Sequence, residues 1–204
     1  MPGGAHTFRN QSDRREVQDN IAYLVHMTHF DNIEKFAQTR QISPASSLKN
    51  VGSKPQGSNK YSKGFVYTQI ITTDQIGTDP NDLGLVDYYG EYAFFILNYE
   101  KLLAHRAKVS DFHMTLGWEY GAYHLERSYG KNQLAQFMSD LMKSQNKQNE
   151  VVFQSSIPLW YYLQEIWVPE GKVNAARKLF PGVRVSSPTL IPNRLRSYIE
   201  LLSQ

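Results

Sequence analysis

Residues 23–33 read YLVHMTHFDNI. The apolar run Tyr23-Leu24-Val25 leads directly into His26-Met27-Thr28, and Asp31-Asn32 then opens a second apolar-periodic segment. The first part predicts a buried strand over about 21–27. Side chains at i and i+2 of a strand point to the same face, so His26 and Thr28 share one. Two readings follow. The pair either holds one small polar ligand at the strand end, or it is a hydrogen-bonded structural pair.

Working outward, Asp31 with Glu34 three residues on resembles a capping box, with Ile33, Phe36 and Ala37 as the apolar side of a short helix. Residues 43–63, rich in Ser, Lys, Gly and Pro, read as a long loop, a length that is unusual inside a compact domain and often functional. GFVYTQIIT at 64–72 and YAFFILN at 92–98 read as strands, with Asn98 capping the helix that follows. Residues 104–130 are ambiguous. Leu134, Phe137, Met138, Leu141 and Met142 recur at helical spacing and belong to the core. EVVF at 150–153 and YLQEIWVP at 162–169 read as strands, 171–180 as a helix, VRVS at 183–186 as a strand, and Asn193 as the cap of a last helix. The sum is α+β, without the regular alternation of a doubly wound sheet. Residues 1–18 are expected to be a flexible segment, and 19–204 a single domain.

Bulk composition narrows the classes. With 41% apolar and 20% charged residues the chain has the composition of a globular domain. No apolar run is long enough to span a bilayer, so no membrane insertion is expected. The first twenty residues lack a signal-peptide core. The expectation is a cytoplasmic protein, or one exported into a host cell by a dedicated secretion system. The sequence has no cysteine, which excludes disulfides, thiolate zinc sites and cysteine catalysis. No metal is expected, because no His/Asp cluster has ligand spacing. P-loop, dinucleotide GxGxxG and GxSxG patterns are absent too. Residues 171–204 carry six cations and one glutamate, a local charge of +5 within a total of +3. That face either contacts an acidic partner or is simply solvated.

Three ordered stretches resemble the ADP-ribosyltransferase superfamily. The first is His26-Met27-Thr28 followed by Asn32, IEKFAQ and RQISP, similar to the strand, helix and loop of poly(ADP-ribose) polymerases, RNA 2′-phosphotransferases and the DarT transferases that modify DNA. Met27 stands where many relatives carry glycine, and Arg40 or Gln41 replaces a glycine after the helix. The second is YSKGFVYTQI, similar to a polymerase-type strand bearing a tyrosine. The residue here is Tyr67, one position out of strict register, with Phe65 on the same face. The third is NKQNEVVFQSSIPLWYYLQEIWVP, similar to the end of DarT-like and toxin-like transferases, where a glutamate opens a strand. That glutamate is Glu150, and Gln148-Asn149-Glu150 also resembles the Gln-x-Glu turn of protein-modifying toxins.

The resemblance implies two packed β-sheets around an NAD cleft with short flanking helices, and NAD as substrate. It implies mono-ADP-ribosyl transfer with release of nicotinamide. His26 would bind a ribose, Met27 and Thr28 the nicotinamide amide, and Tyr67 would stack on the nicotinamide. Glu150 and Gln148 would complete the catalytic set. The reaction needs such a set, because positive charge develops on the ribose as the leaving group departs. A protein side chain is the favoured acceptor on the Gln148 turn, as in secreted bacterial effectors. DNA bases are the alternative, and a non-catalytic NAD-binding module is a third reading.

Overall fold

The computed structural model describes residues 21–44, 64–73, 83–85, 91–106, 108, 111–116, 127–143, 149–188 and 190–192. The expected loop at 43–63 falls almost wholly outside them, as do Gln148 and the Asn193 cap.

Eight strands form one hydrogen-bonded sheet. They are β1 (Ile21–His29), β3 (Val66–Thr72), β5 (Tyr92–Leu97), β6 (Phe112–Leu116), β7 (Arg127–Gly130), β8 (Asn149–Phe153), β10 (Leu163–Trp167) and β11 (Arg184–Ser186). Their order across the sheet is β11-β10-β5-β1-β3-β8-β6-β7. Two short ribbons accompany it: β2 (Gln41–Ile42) with β9 (Ile157–Pro158), and β4 (Leu83–Leu85) with β12 (Leu190–Pro192). The α+β class is as expected, but the strands divide unevenly between one large sheet and two small ribbons. All pairings in the large sheet are antiparallel except β10 with β11. Every residue of β3, β5 and β8 is buried, so the centre of the sheet is covered on both faces.

Helices α1 (Ile33–Thr39), α2 (Tyr99–Arg106), α3 (Leu134–Leu141), α4 (Leu159–Tyr162) and α5 (Val173–Leu179) flank the sheet. In α3 the residues Leu134, Phe137, Met138 and Leu141 are buried, as their spacing predicts. Met142 departs from that expectation: the helix ends before it, and it is 40% exposed. Asn98 does cap α2, its Oδ1 accepting from the Lys101 amide at 2.9 Å.

Asp31 does not cap α1. A 3-10 turn over Phe30–Asn32 precedes the helix, and His29 Nδ1 accepts from the Asp31 amide at 3.3 Å. The turn moves the helix start past the capping-box register. At the other end of the helix Arg40 adopts the left-handed conformation, φ 55° and ψ 28°. This is the position at which glycine is favoured, because a Cβ there is strained. Arg40 is exposed, so Arg40→Gly is expected to raise stability by about 0.5–1 kcal/mol in urea melts.

The extended pattern expected from Tyr162 onward begins one residue later, at Leu163, after a single helical turn. That turn leaves Trp160 75% exposed. Tyr161 lies under the Lys101 ammonium, 3.6 Å from the ring centroid. Beyond the C-terminus of α2, Arg106 ties three segments together. It donates to Asp111, to Ser155 Oγ at 2.6 Å and to the Ser156 carbonyl.

Candidate functional site

The geometry of β1, β3 and β8 decides which sequence-predicted residues meet. The β1–β3 ladder runs from Ile21 opposite Thr72 to Val25 opposite Gln69. Strand β1 then goes on to His29 along its β5 side, from His26 opposite Phe95 to His29 opposite Tyr92. His26 lies just past the end of the β1–β3 ladder. Its Nδ1 lies 2.9 Å from the Tyr67 carbonyl oxygen. A carbonyl only accepts, so Nδ1 carries the proton.

Burial pulls the His26 pKa down to about 4, against a smaller opposing effect of the bond to Tyr67. The ring is therefore neutral near pH 7, and Nε2 is a bare acceptor. Among the described residues nothing bonds Nε2. The ring packs edge-on to Phe36 at 5.9 Å and lies 6.5 Å from Phe95.

The depressed pKa has a stability consequence. Between pH 6.5 and about 4 the unfolded chain binds a proton at this residue that the folded chain refuses. The His26 contribution is full above pH 6.5 and is lost as pH falls to about 4, on the order of 3 kcal/mol at most. Urea melts at pH 7 and 4.5 are expected to show this loss in wild type and its absence in His26→Gln.

Thr28 is 7% exposed, and its Oγ1 accepts from Asn32 Nδ2 at 3.3 Å. The two polar residues of the opening motif thus hold structure on both sides: His26 reaches β3, and Thr28 reaches the turn before α1. Met27 points to the opposite face from both, since alternate strand residues face opposite ways.

Tyr67 and Glu150 lie on one face of neighbouring strands. Tyr67 stands opposite Val152, and Gln69 stands opposite Glu150. Directly opposed antiparallel residues share a face, as do residues two apart. On the same face Thr115 lies opposite Glu150 and His113 opposite Val152 across the β8–β6 pair. Phe65 makes edge-on contacts with Tyr67 at 6.3 Å and with His113 at 6.1 Å, confirming the cluster. Glu150 is 1% exposed at the start of a central strand.

The alternation separates the predicted set into two groups. Tyr67, Glu150 and Met27 belong to one face, while His26 and Thr28 belong to the other and connect through the Tyr67 backbone. Phe65 joins the first group, as its spacing from Tyr67 predicted. Gln69, Thr115 and His113 join this face without standing out in the sequence. His113 and Thr115 carried the weak signal of polar residues alternating in FHMTL, and Gln69, next to Thr68 in TQII, carried none. No group of three or more His, Cys, Asp or Glu side chains among the described residues is arranged to hold a metal ion.

No family model and no curated protein matches this sequence. Solved structures do. DarT from Thermus sp. 2.9 in complex with NAD+ superposes with a TM-score of 0.56 at 14% identity, over 82% of this chain and 95% of that one. The same protein in complex with ADP-ribosylated ssDNA gives 0.52 at 15% identity, over 82% and 94%. Thermosipho africanus DarTG in complex with ADP-ribose gives 0.53 at 12% identity, over 81% of this chain and 49% of that one. At these identities the similarity establishes the fold.

Proposed function

We propose that this chain, which has the ADP-ribosyltransferase fold, transfers one ADP-ribose from NAD to a macromolecule. The observation that carries the reading is Tyr67 and Glu150 on a single face of adjacent central strands, in a fold shared with a DarT bound to NAD+. In the reaction the bond between the ribose C1′ and the nicotinamide nitrogen breaks, and its electron pair leaves with nicotinamide. A nucleophile on the acceptor bonds to C1′ and loses a proton. Glu150, as a carboxylate, faces the positive charge that develops on the ribose and accepts from its 2′-hydroxyl. Tyr67 and Phe65 offer an aromatic surface to the nicotinamide ring. Met27 lies on β1 beyond the last residue paired with β3, and its backbone is assigned to the nicotinamide amide. His26 faces the other side of the sheet and acts through its bond to the Tyr67 carbonyl, which holds the strand bearing Tyr67 in place. Thr28, tied to Asn32, acts by fixing the strand end.

The acceptor is open to two readings. The Gln148-x-Glu150 pattern supports a protein side chain, and Gln148 lies outside the described residues. The complex of Thermus sp. 2.9 DarT with ADP-ribosylated ssDNA supports a base in single-stranded DNA. Labelled NAD offered in parallel to a protein lysate and to single-stranded DNA distinguishes them. Label is expected on one of the two, and label on neither would contradict transfer to a macromolecule. If DNA is the acceptor, removing Arg177, Lys178, Arg194 and Arg196 should weaken modification with a strong salt dependence. If protein is the acceptor, the same variant should change little.

A further inference from the structure

The three side chains that cross the middle of the sheet at Glu150 are all polar and all sealed from solvent. Gln69, Glu150 and Thr115 are 2%, 1% and 0% exposed. Glu150 is flanked on both sides by direct antiparallel partners, Gln69 in β3 and Thr115 in β6. Such neighbours have Cβ atoms about 4.5–5.5 Å apart. A glutamine placed between Thr68 and Ile70 on a buried strand forgoes the packing a β-branched residue would give, so the fold alone does not call for it.

A buried carboxylate is costly unless donors surround it. The glutamine amide offers two N–H donors and the threonine hydroxyl one, and both are neutral. That neutrality matters for the proposed chemistry. A lysine or arginine in the same row would satisfy the carboxylate but cancel the field that a ribosyl cation needs. Neutral donors orient the carboxylate and leave its charge in place.

We infer that Gln69 and Thr115 are positioning residues for Glu150, donating to its carboxylate and fixing the orientation in which it meets the ribose. The inference rests on the catalytic reading of Glu150 given above. The titratable side chains on that face of the flanking strands are Tyr67 on β3 and His113 on β6, each one row from Glu150. Val25 and Met27 on the same face of β1 do not titrate.

The test compares wild type with Gln69→Leu, Thr115→Val, Thr115→Ser and, as a control for His113, His113→Gln. Two quantities are read: the pH profile of NAD turnover, and the midpoint of the Glu150 carboxyl 13C resonance in the labelled, NAD-free protein. Removing a donor to the ionised form raises its pKa, so the acid limb moves to higher pH. In Gln69→Leu, kcat is expected to fall about 10- to 100-fold with KM for NAD nearly unchanged. Both the acid limb and the carboxyl midpoint are expected to rise by about one pH unit. Thr115→Val should shift them the same way by less, and Thr115→Ser should restore wild-type values. His113→Gln should leave the Gln69→Leu shift intact when the two are combined.

An unchanged midpoint in folded Gln69→Leu overturns the inference, as does a KM effect without a midpoint shift. Should Gln69→Leu fail to fold, the Thr115→Val and Thr115→Ser pair decides by the same criteria. Absence of NAD turnover by wild type would instead defeat the functional reading, while the carboxyl midpoints would still report whether the donors act on Glu150.

Discussion

Glu150→Gln is expected to lower ADP-ribosyl transfer by at least about a hundredfold, with NAD affinity nearly unchanged. The substitution keeps the shape of the side chain and removes the charge. Interactions that exist only in the transition state lower kcat when lost, and a single preorganised electrostatic group contributes two to three orders of magnitude. Ground-state NAD carries no ribosyl cation, so its binding should barely respond. Glu150 is 1% exposed and sits between Gln69 and Thr115, so an amide at this position also tests tolerance of the row. A melting temperature close to wild type separates loss of chemistry from loss of fold. Near-normal transfer by a folded Glu150→Gln protein would transfer the role to another carboxylate. Glu165 is a poor replacement, because it already accepts from Ser186 and pairs with Arg184 at 3.3 Å.

The second large effect is on stability. Arg106→Ala is expected to destabilise the fold by about 3–5 kcal/mol. The Arg106 and Asp111 side chains are 12% and 13% exposed, and Asp111 also accepts from Ser155. Removing the guanidinium strands a nearly buried carboxylate and frees the Ser155–Ser156 turn that leads from β8 into β9. For a domain of this size the melting temperature should drop by about 10 °C. The double variant Arg106→Leu with Asp111→Leu should recover much of the loss, because replacing both charges by apolar groups removes the stranded one. Equal stability of Arg106→Ala and wild type in urea melts would show the network to be marginal.

The parts of the fold that were legible in the sequence are those whose signal is local. The β-rich runs of β3 and β8 announced strands and the continuous apolar run of β5 a buried one, and each of the three is buried along its whole length. The helical spacing from Leu134 to Leu141 announced α3, and Asn98 announced the start of α2. The misreadings arise where tertiary contacts override local preference. Asp31 lost its cap because a 3-10 turn inserted before α1. The strand expected from Tyr162 starts at Leu163 instead, after a helical turn whose ends hydrogen-bond outward, the Leu159 amide to the Arg40 carbonyl and the Asn98 amide to the Tyr162 carbonyl.

The site divides in the same way. His26, Tyr67 and Glu150 stood out because their residue types recur in ordered stretches of a known superfamily. Which face each would occupy depended on strand register, which no single stretch encodes. The pairing places Tyr67 with Glu150 and sends His26 to the other side, joined by one bond to the Tyr67 carbonyl. Gln69 and Thr115 were invisible for the same reason. Their meaning comes from β3 and β6 lying on either side of β8, pairings between segments distant in sequence.

If NAD is held on the face shared by Tyr67 and Glu150, a crystal structure of the protein with an unreactive NAD analogue will show it there. The nicotinamide ring is expected against Tyr67 and a ribose hydroxyl within hydrogen-bond distance of the Glu150 carboxylate. An analogue bound on another surface, or no binding at concentrations that saturate NAD-dependent transferases, would contradict this placement.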